Sequence, residues 1–106
     1  VVCLSSIDDK KERKNFLKHL KEDKKQVIEI TEEQVNNFAG NMLQIHGKNN
    51  ERFLVMSQAA YDCLTHAQKV QISKHCKIIS SSLSTIETCG GGSARCMMAE
   101  VFLPKR

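Results

Sequence analysis

Apolar and polar positions along this chain fall into short blocks, each with its own period. Residues 1–4 (VVCL) form a β-branched run that predicts a buried strand. Beyond Asp8, Phe16, Leu17 and Leu20 make one apolar stripe in a charged stretch, which predicts an amphipathic helix capped by Asp8 or Asp9. Residues 26–30 (QVIEI) alternate with period two and predict a strand. Thr31-Glu-Glu-Gln34 has the capping-box pattern, opening a short helix with Val35 and Phe38 turned inward and Gly40 past its end. Residues 41–45 predict a strand, HGKNNE its turn, and residues 52–56 an antiparallel partner. Ser57 caps a helix over QAAYDCL, and Thr65-x-x-Gln68 is a second capping box that opens HAQKVQISKHC. Residues 77–83 read as a strand, TIETCGGGSAR as a loop, and residues 96–103 as a closing strand ended by Pro104.

These blocks contain a weak repeat. Strand–helix–strand runs from residue 2 to 30 and again from 54 to 79, each a crossover that pairs parallel strands against helices. The predicted architecture is therefore a single α/β (α+β) layer, and with 106 residues the chain has length for one modest domain, 1–106. No Pro/Gly-rich linker divides it. No apolar run reaches the ~18–20 residues of a membrane-spanning helix, so no membrane association is expected. A chain that opens on a strand with no initiator Met is expected to be a piece of something longer.

Charge changes this picture little. The formal net charge is +4, but residues 8–25 hold eight of the 16 Lys/Arg and five of the 12 Asp/Glu, with signs interleaved. Asp9/Arg13 and Lys18/Glu22 stand at i,i+4 spacing, so a solvated helix face is expected and no nucleic-acid partner. Five cysteines, Cys3, Cys63, Cys76, Cys89 and Cys96, form an odd set, and no secretory leader is expected. That argues for reduced thiols and a cytoplasmic location. No C-x2-C pair is present, so neither a metal nor an organic cofactor is expected. Four of the thiols are expected to be inert packing.

The fifth is the candidate for chemistry. In Thr88-Cys-Gly-Gly-Gly-Ser-Ala-Arg-Cys-Met97 three glycines run together, a costly arrangement for a plain connection. Glycines let backbone N–H groups approach a ligand, but the Lys-Ser/Thr of a phosphate loop is missing and Arg95-Cys96 stands in its place. The spacing puts Cys96 where a pliant loop meets a strand, a good position for a nucleophile.

Three segments, FAGNMLQI (38–45), LVMSQAAYDCL (54–64) and TIETCGGGSARCMMAEVFLP (85–104), resemble the C-terminal part of the guanidino-group-modifying, or amidinotransferase, superfamily. They look most like the arginine-deiminase-related citrulline utilisation hydrolases, and similar loops ending in a catalytic Cys occur in arginine deiminases and dimethylarginine hydrolases. The resemblance implies a partial pentein β/α propeller built of ββαβ units, here about two blades. It also implies that Cys96 is the nucleophile, attacking the planar carbon of a guanidino or ureido substrate such as citrulline or arginine to form a covalent adduct that water then hydrolyses. The family's acid/base His and substrate carboxylates would lie upstream of Val1. His19, His46, His66 and His75 each have a structural reading, on the charged helix, in a polar turn, inside a helix cap and near a helix C-terminus.

Gly91, Gly92, Ser93, Arg95 and Glu87 are the residues expected to bind substrate. Arg95 suits a substrate carboxylate bidentately, with a structural salt bridge as the alternative. Glu87 suits the pocket wall, a pairing with Arg95 or plain loop surface, and Met97–Met98 suits core packing. Asn41 finishes the turn after Gly40. The isolated chain is expected to be inactive for want of its proton-transfer group, and to self-associate through strand edges left uncovered. Two other readings stand beside this one: a non-catalytic module that keeps the scaffold, and a thiol redox pair of Cys89 with Cys96.

Overall fold

The computed structural model describes residues 1–104, so the last two positions of the 1–106 domain lie outside the described residues. Two stretches of chain meet at its centre, each entering a helix through a threonine cap. The elements are α1 (Lys10–Glu22), α2 (Glu32–Asn36), β1 (Leu43–His46), β2 (Arg52–Ser57), α3 (Gln58–Cys63), α4 (His66–Ser73), β3 (Lys77–Ser81) and α5 (Ser84–Gly90). β1 and β2 form the antiparallel hairpin, with Leu43 opposite Val55 and Ile45 opposite Phe53. After α3 and α4 the chain returns as β3, parallel to β2, with Leu54 opposite Ile78. The result is an α+β arrangement holding one ββαβ unit and a mixed sheet ordered β1-β2-β3.

The expected first crossover is present only in outline. Val2 and Glu29 form a single parallel bridge, so residues 1–4 and 26–30 are not full strands. A lone bridge leaves most ladder groups unpaired, and these segments hold through burial of Cys3, Ile28 and Ile30 instead. Those three join Ala39, Met56, Ala60, Leu64 and Ile72 in the core.

Local chemistry explains most helix starts. Asp9 accepts from the backbone N–H of Lys11 and Glu12 and so caps α1. The expected Asp9–Arg13 pair does not form, because Arg13 instead donates twice to the Ile7 carbonyl. Lys18 and Glu22 do pair, at 3.8 Å. No residue of α1 is buried.

The two capping boxes face each other. The Thr31 and Thr65 hydroxyls accept from the backbones of Gln34 and Gln68, and each glutamine Oε1 accepts from its threonine N–H. Gln34 Nε2 donates to Gln68 Oε1 at 2.8 Å, and Gln68 Nε2 donates back at 3.1 Å. Their remaining donors go to the carbonyls of Cys63 and Glu29. Both amides are thus fully used, and Gln34 is the buried residue of α2 where Val35 was expected; Val35 is exposed. Gln34→Ala strands the Thr31 N–H and half of the Gln68 amide, an expected cost of about 1–3 kcal/mol. A double-mutant cycle with Gln68→Ala, followed by urea unfolding, should give a coupling above about 0.5 kcal/mol. A coupling near zero would mean that the two amides act separately.

Three expectations about backbone fail, each for a local reason. The left-handed residue after α2 is Phe38, at φ 64°, not Gly40. Residues 84–90 are helical rather than loop, because the glycine run acts as a helix stop: Gly91, at φ 67°, ends α5 and donates to the Glu87 carbonyl. Residues 96–103 do not form a strand. Arg95–Met97 is one 3-10 turn, and Val101, Phe102 and Leu103 are exposed with no ladder partner among the described residues. Strand propensity needs a neighbour to pair with, and here none is at hand.

Candidate functional site

Cys96 lies in that 3-10 turn, solvent-exposed, rather than where a loop meets a strand. What aims it is the end of α5. Gly91 turns the chain back through its left-handed backbone, and Gly92 passes so close that a Cβ there would stand 3.1 Å from Cys96 Cβ and 3.3 Å from its Sγ. Gly91 and Gly92 therefore have separate jobs, one of conformation and one of space.

Ser93 is completely buried, and its hydroxyl donates to Glu87 Oε1 at 2.6 Å. This bond braces the turn against α5. It also means that Glu87 faces Ser93 and forms no ion pair with Arg95 among the described residues. Arg95 is exposed and borders a cleft of about 300 Å³ with Ala39, Gly40, Met42 and Leu54. A separate hollow of about 430 Å³, under Lys24, Arg52 and His75, contains none of the residues expected to do chemistry.

Asn41 joins the turn to the rest of the fold. Its Oδ1 accepts from the Arg95 backbone N–H at 2.9 Å, and its Nδ2 donates to Cys96 Sγ at 3.0 Å. The thiol pKa is held below its ordinary value, chiefly by the Asn41 hydrogen bond, with the Ser93 backbone and the Arg95 charge acting the same way. Each favours the thiolate by placing positive charge or a donor beside sulfur.

The other thiols differ. Burial pushes Cys63 and Cys76 up, and their sulfurs donate to the Ala60 and Ile72 carbonyls. Cys3 is lowered by the hydroxyls of Ser5 and Ser6, yet it is 9% exposed and sits in the core out of a substrate's reach. Cys89, on α5, is exposed, contrary to its expected place in packing. Met97 is likewise 48% exposed rather than core.

Among the described residues no histidine or carboxylate is hydrogen-bonded to Cys96. His19 approaches Glu22 at 3.5 Å, and His75 pairs with Gln26 at 2.8 Å. His46 ends β1 rather than lying in the turn, and His66 opens α4. No three His, Cys, Asp or Glu side chains converge as metal ligands among the described residues, and no helix there is long and apolar enough to cross a membrane.

The structure thus gathers Cys96, Arg95, Gly91, Gly92, Ser93 and Glu87 at one corner. It adds Asn41, which the sequence pattern marks only as the residue finishing a turn. A polar side chain set between a helix stop and an apolar strand was the available signal. A family model described as N,N dimethylarginine dimethylhydrolase, eukaryotic, matches residues 1–103. No curated protein and no solved structure matches the chain.

Proposed function

The chain belongs to the eukaryotic N,N dimethylarginine dimethylhydrolase family, within the guanidino-modifying pentein superfamily, and on that premise we propose that it carries the nucleophile of a hydrolase acting on guanidino compounds. The observation behind this reading is the exposed Cys96 sulfur, hydrogen-bonded by Asn41 and flanked by Arg95. N,N-dimethylarginine, the compound in the family's name, is the first substrate to consider. Arginine follows as a second guanidino compound, and citrulline as the ureido alternative, whose adduct would be a thiocarbamate rather than a thiouronium.

In this mechanism the Cys96 thiolate attacks the guanidinium carbon, and the electron pair of one C–N π bond moves to nitrogen. The tetrahedral adduct collapses as the amine leaves with a proton, giving an S-linked thiouronium. Water adds to the same carbon, the C–S bond breaks, and a ureido product departs as the thiolate is restored. A soft, strong nucleophile suits a carbon so weakly electrophilic. Gly91, Gly92, Ser93 and Glu87 shape the turn that presents the sulfur, and Arg95 offers its guanidinium to a substrate carboxylate across the cleft.

On this reading the chain is the C-terminal part of a pentein domain, about two blades of its propeller. The acid/base histidine and the carboxylates that hold the guanidinium come from sequence before Val1. The intact protein, incubated with N,N-dimethylarginine, should release dimethylamine, and intact-mass analysis of a quenched reaction should find the adduct on the Cys96 peptide. This chain alone should release none, since loss of the proton-transfer group costs about 10²–10⁴-fold. Release by the chain alone would refute that division of labour.

The bareness of Cys96, with no base beside it among the described residues, favours one other reading: a binding or structural module that keeps the scaffold without the chemistry. Failure of the intact protein to turn over any of the three compounds would favour that module.

A further inference from the structure

Among the described residues, the side-chain hydrogen bonds from residues 92–98 to anything before α5 all come from Asn41. One amide therefore carries the polar link between the nucleophile turn and the body of the fold. Its orientation is determined: the Arg95 backbone N–H needs an acceptor, so Oδ1 must face it, and the NH₂ is left to face the sulfur.

Asn41 is itself held firmly. Its backbone N–H donates to the Phe38 carbonyl at 2.8 Å, and Phe38 adopts a left-handed backbone that a bulky side chain disfavours. Ala39, next along, is fully buried and donates to the Gln34 carbonyl. Two residues past Asn41 the chain enters β1, where Leu43 is buried. A strained turn kept in place by buried neighbours on both sides is a feature that recurs at functional sites.

We infer that Asn41 is the positioning residue of the Cys96 nucleophile: one end of its amide grips the Arg95 backbone and the other donates to the sulfur, fixing its direction. This rests on the reading of Cys96 as nucleophile, and it names a residue 55 positions away in sequence that acts through it. The charged group adjoining the sulfur is Arg95 on the same turn, while Glu87 on α5 is engaged by Ser93.

Two substitutions separate grip from donation. Asn41→Asp keeps an oxygen to accept the Arg95 N–H but replaces the sulfur's donor with a negative charge. Asn41→Ala removes both. The readout is the rate of iodoacetamide alkylation at each cysteine against pH, resolved by peptide mass spectrometry on the intact protein. Exposed Cys89 serves as the internal reference, and half-buried Cys63 and Cys76, which the parent shields in part, report any unfolding.

Cys96 alkylation near pH 7 should fall about threefold to tenfold in Asn41→Ala, and further in Asn41→Asp, its profile moving to higher pH while Cys89 does not change. A Cys96 profile unmoved in both variants, with Cys63 and Cys76 still protected, would overturn the inference. So would Asn41→Asp reacting like the parent chain, since the anchor alone would then suffice. Loss of protection at Cys63 and Cys76 in Asn41→Asp would overturn it as well, by showing that the residue serves folding rather than the thiol. Turnover does not enter this test, so the nucleophile assignment stands or falls separately on Cys96 variants of the intact protein.

Discussion

Replacing Cys96 with serine in the intact protein is expected to lower kcat for N,N-dimethylarginine by at least about 10⁴-fold, with KM changed much less. The substitution removes a single atom type and leaves the turn in place. A serine hydroxyl at the same position still meets the Asn41 donor, and that is the difficulty: hydroxyl is not ionised near neutral pH, and the donor meets a neutral oxygen. Attack on a resonance-stabilised carbon then lacks its nucleophile, while the surfaces that bind substrate are untouched. Cys89→Ser is the matched control, exposed and seven positions earlier with no bond to Asn41. It should retain turnover within about twofold, as an exposed substitution away from special features usually does. Turnover of Cys96→Ser above a tenth of the parent value would remove Cys96 from the mechanism. Loss in Cys89→Ser alone would move attention to that thiol.

What the chain shows in its sequence and what only its fold shows part along a physical line. Signals that act within one turn of chain were readable. Both capping boxes, the Ser57 cap, the β1–β2 hairpin and the parallel return of β3 are present as expected. Each depends on a hydrogen bond or an apolar period spanning a few residues, except the β3 return, which follows from the strand–helix–strand order of the chain. Contacts across dozens of residues were not readable from pattern. Nothing in Thr31-x-x-Gln34 or Thr65-x-x-Gln68 reveals that the two glutamines will bond each other, because the second partner is chosen by the fold.

The candidate site follows the same division. Its motif was legible, since a glycine triplet ahead of Arg-Cys is unusual and costly. Its geometry was not. The glycines were read as one pliant loop, whereas they stop a helix, turn the chain and clear space for the sulfur, one function after another. The expected closing strand failed because periodicity cannot supply a pairing partner. The pattern marks Asn41 as a turn residue in a family-like segment but not as the partner of Cys96, because its two bonds reach 54 and 55 residues ahead.

Met56→Ala is expected to cost about 2–5 kcal/mol of stability, the range for truncating a buried long side chain. Met56 is fully buried on β2 and clusters with Ala60, Leu64 and Ile72, joining the sheet to α3 and α4. A domain of this size has only about 5–15 kcal/mol in total, so Tm should fall by on the order of 10–30 °C. Met56→Leu fills nearly the same volume and should cost under about 1.5 kcal/mol. Phe102→Ser, at a position 88% exposed, should stay within about 0.5 kcal/mol. The effect should also reach the candidate site, because Met56 lies between Leu54, which lines the cleft beside Arg95, and Ser57, which caps α3 through the Ala60 N–H. In Met56→Ala, then, iodoacetamide should begin to label Cys63 and Cys76 below the temperature at which the parent chain protects them. A cost below about 1 kcal/mol would show that the sheet–helix layer is not what holds the fold together, and the support for the Asn41–Cys96 corner would have to be sought outside it.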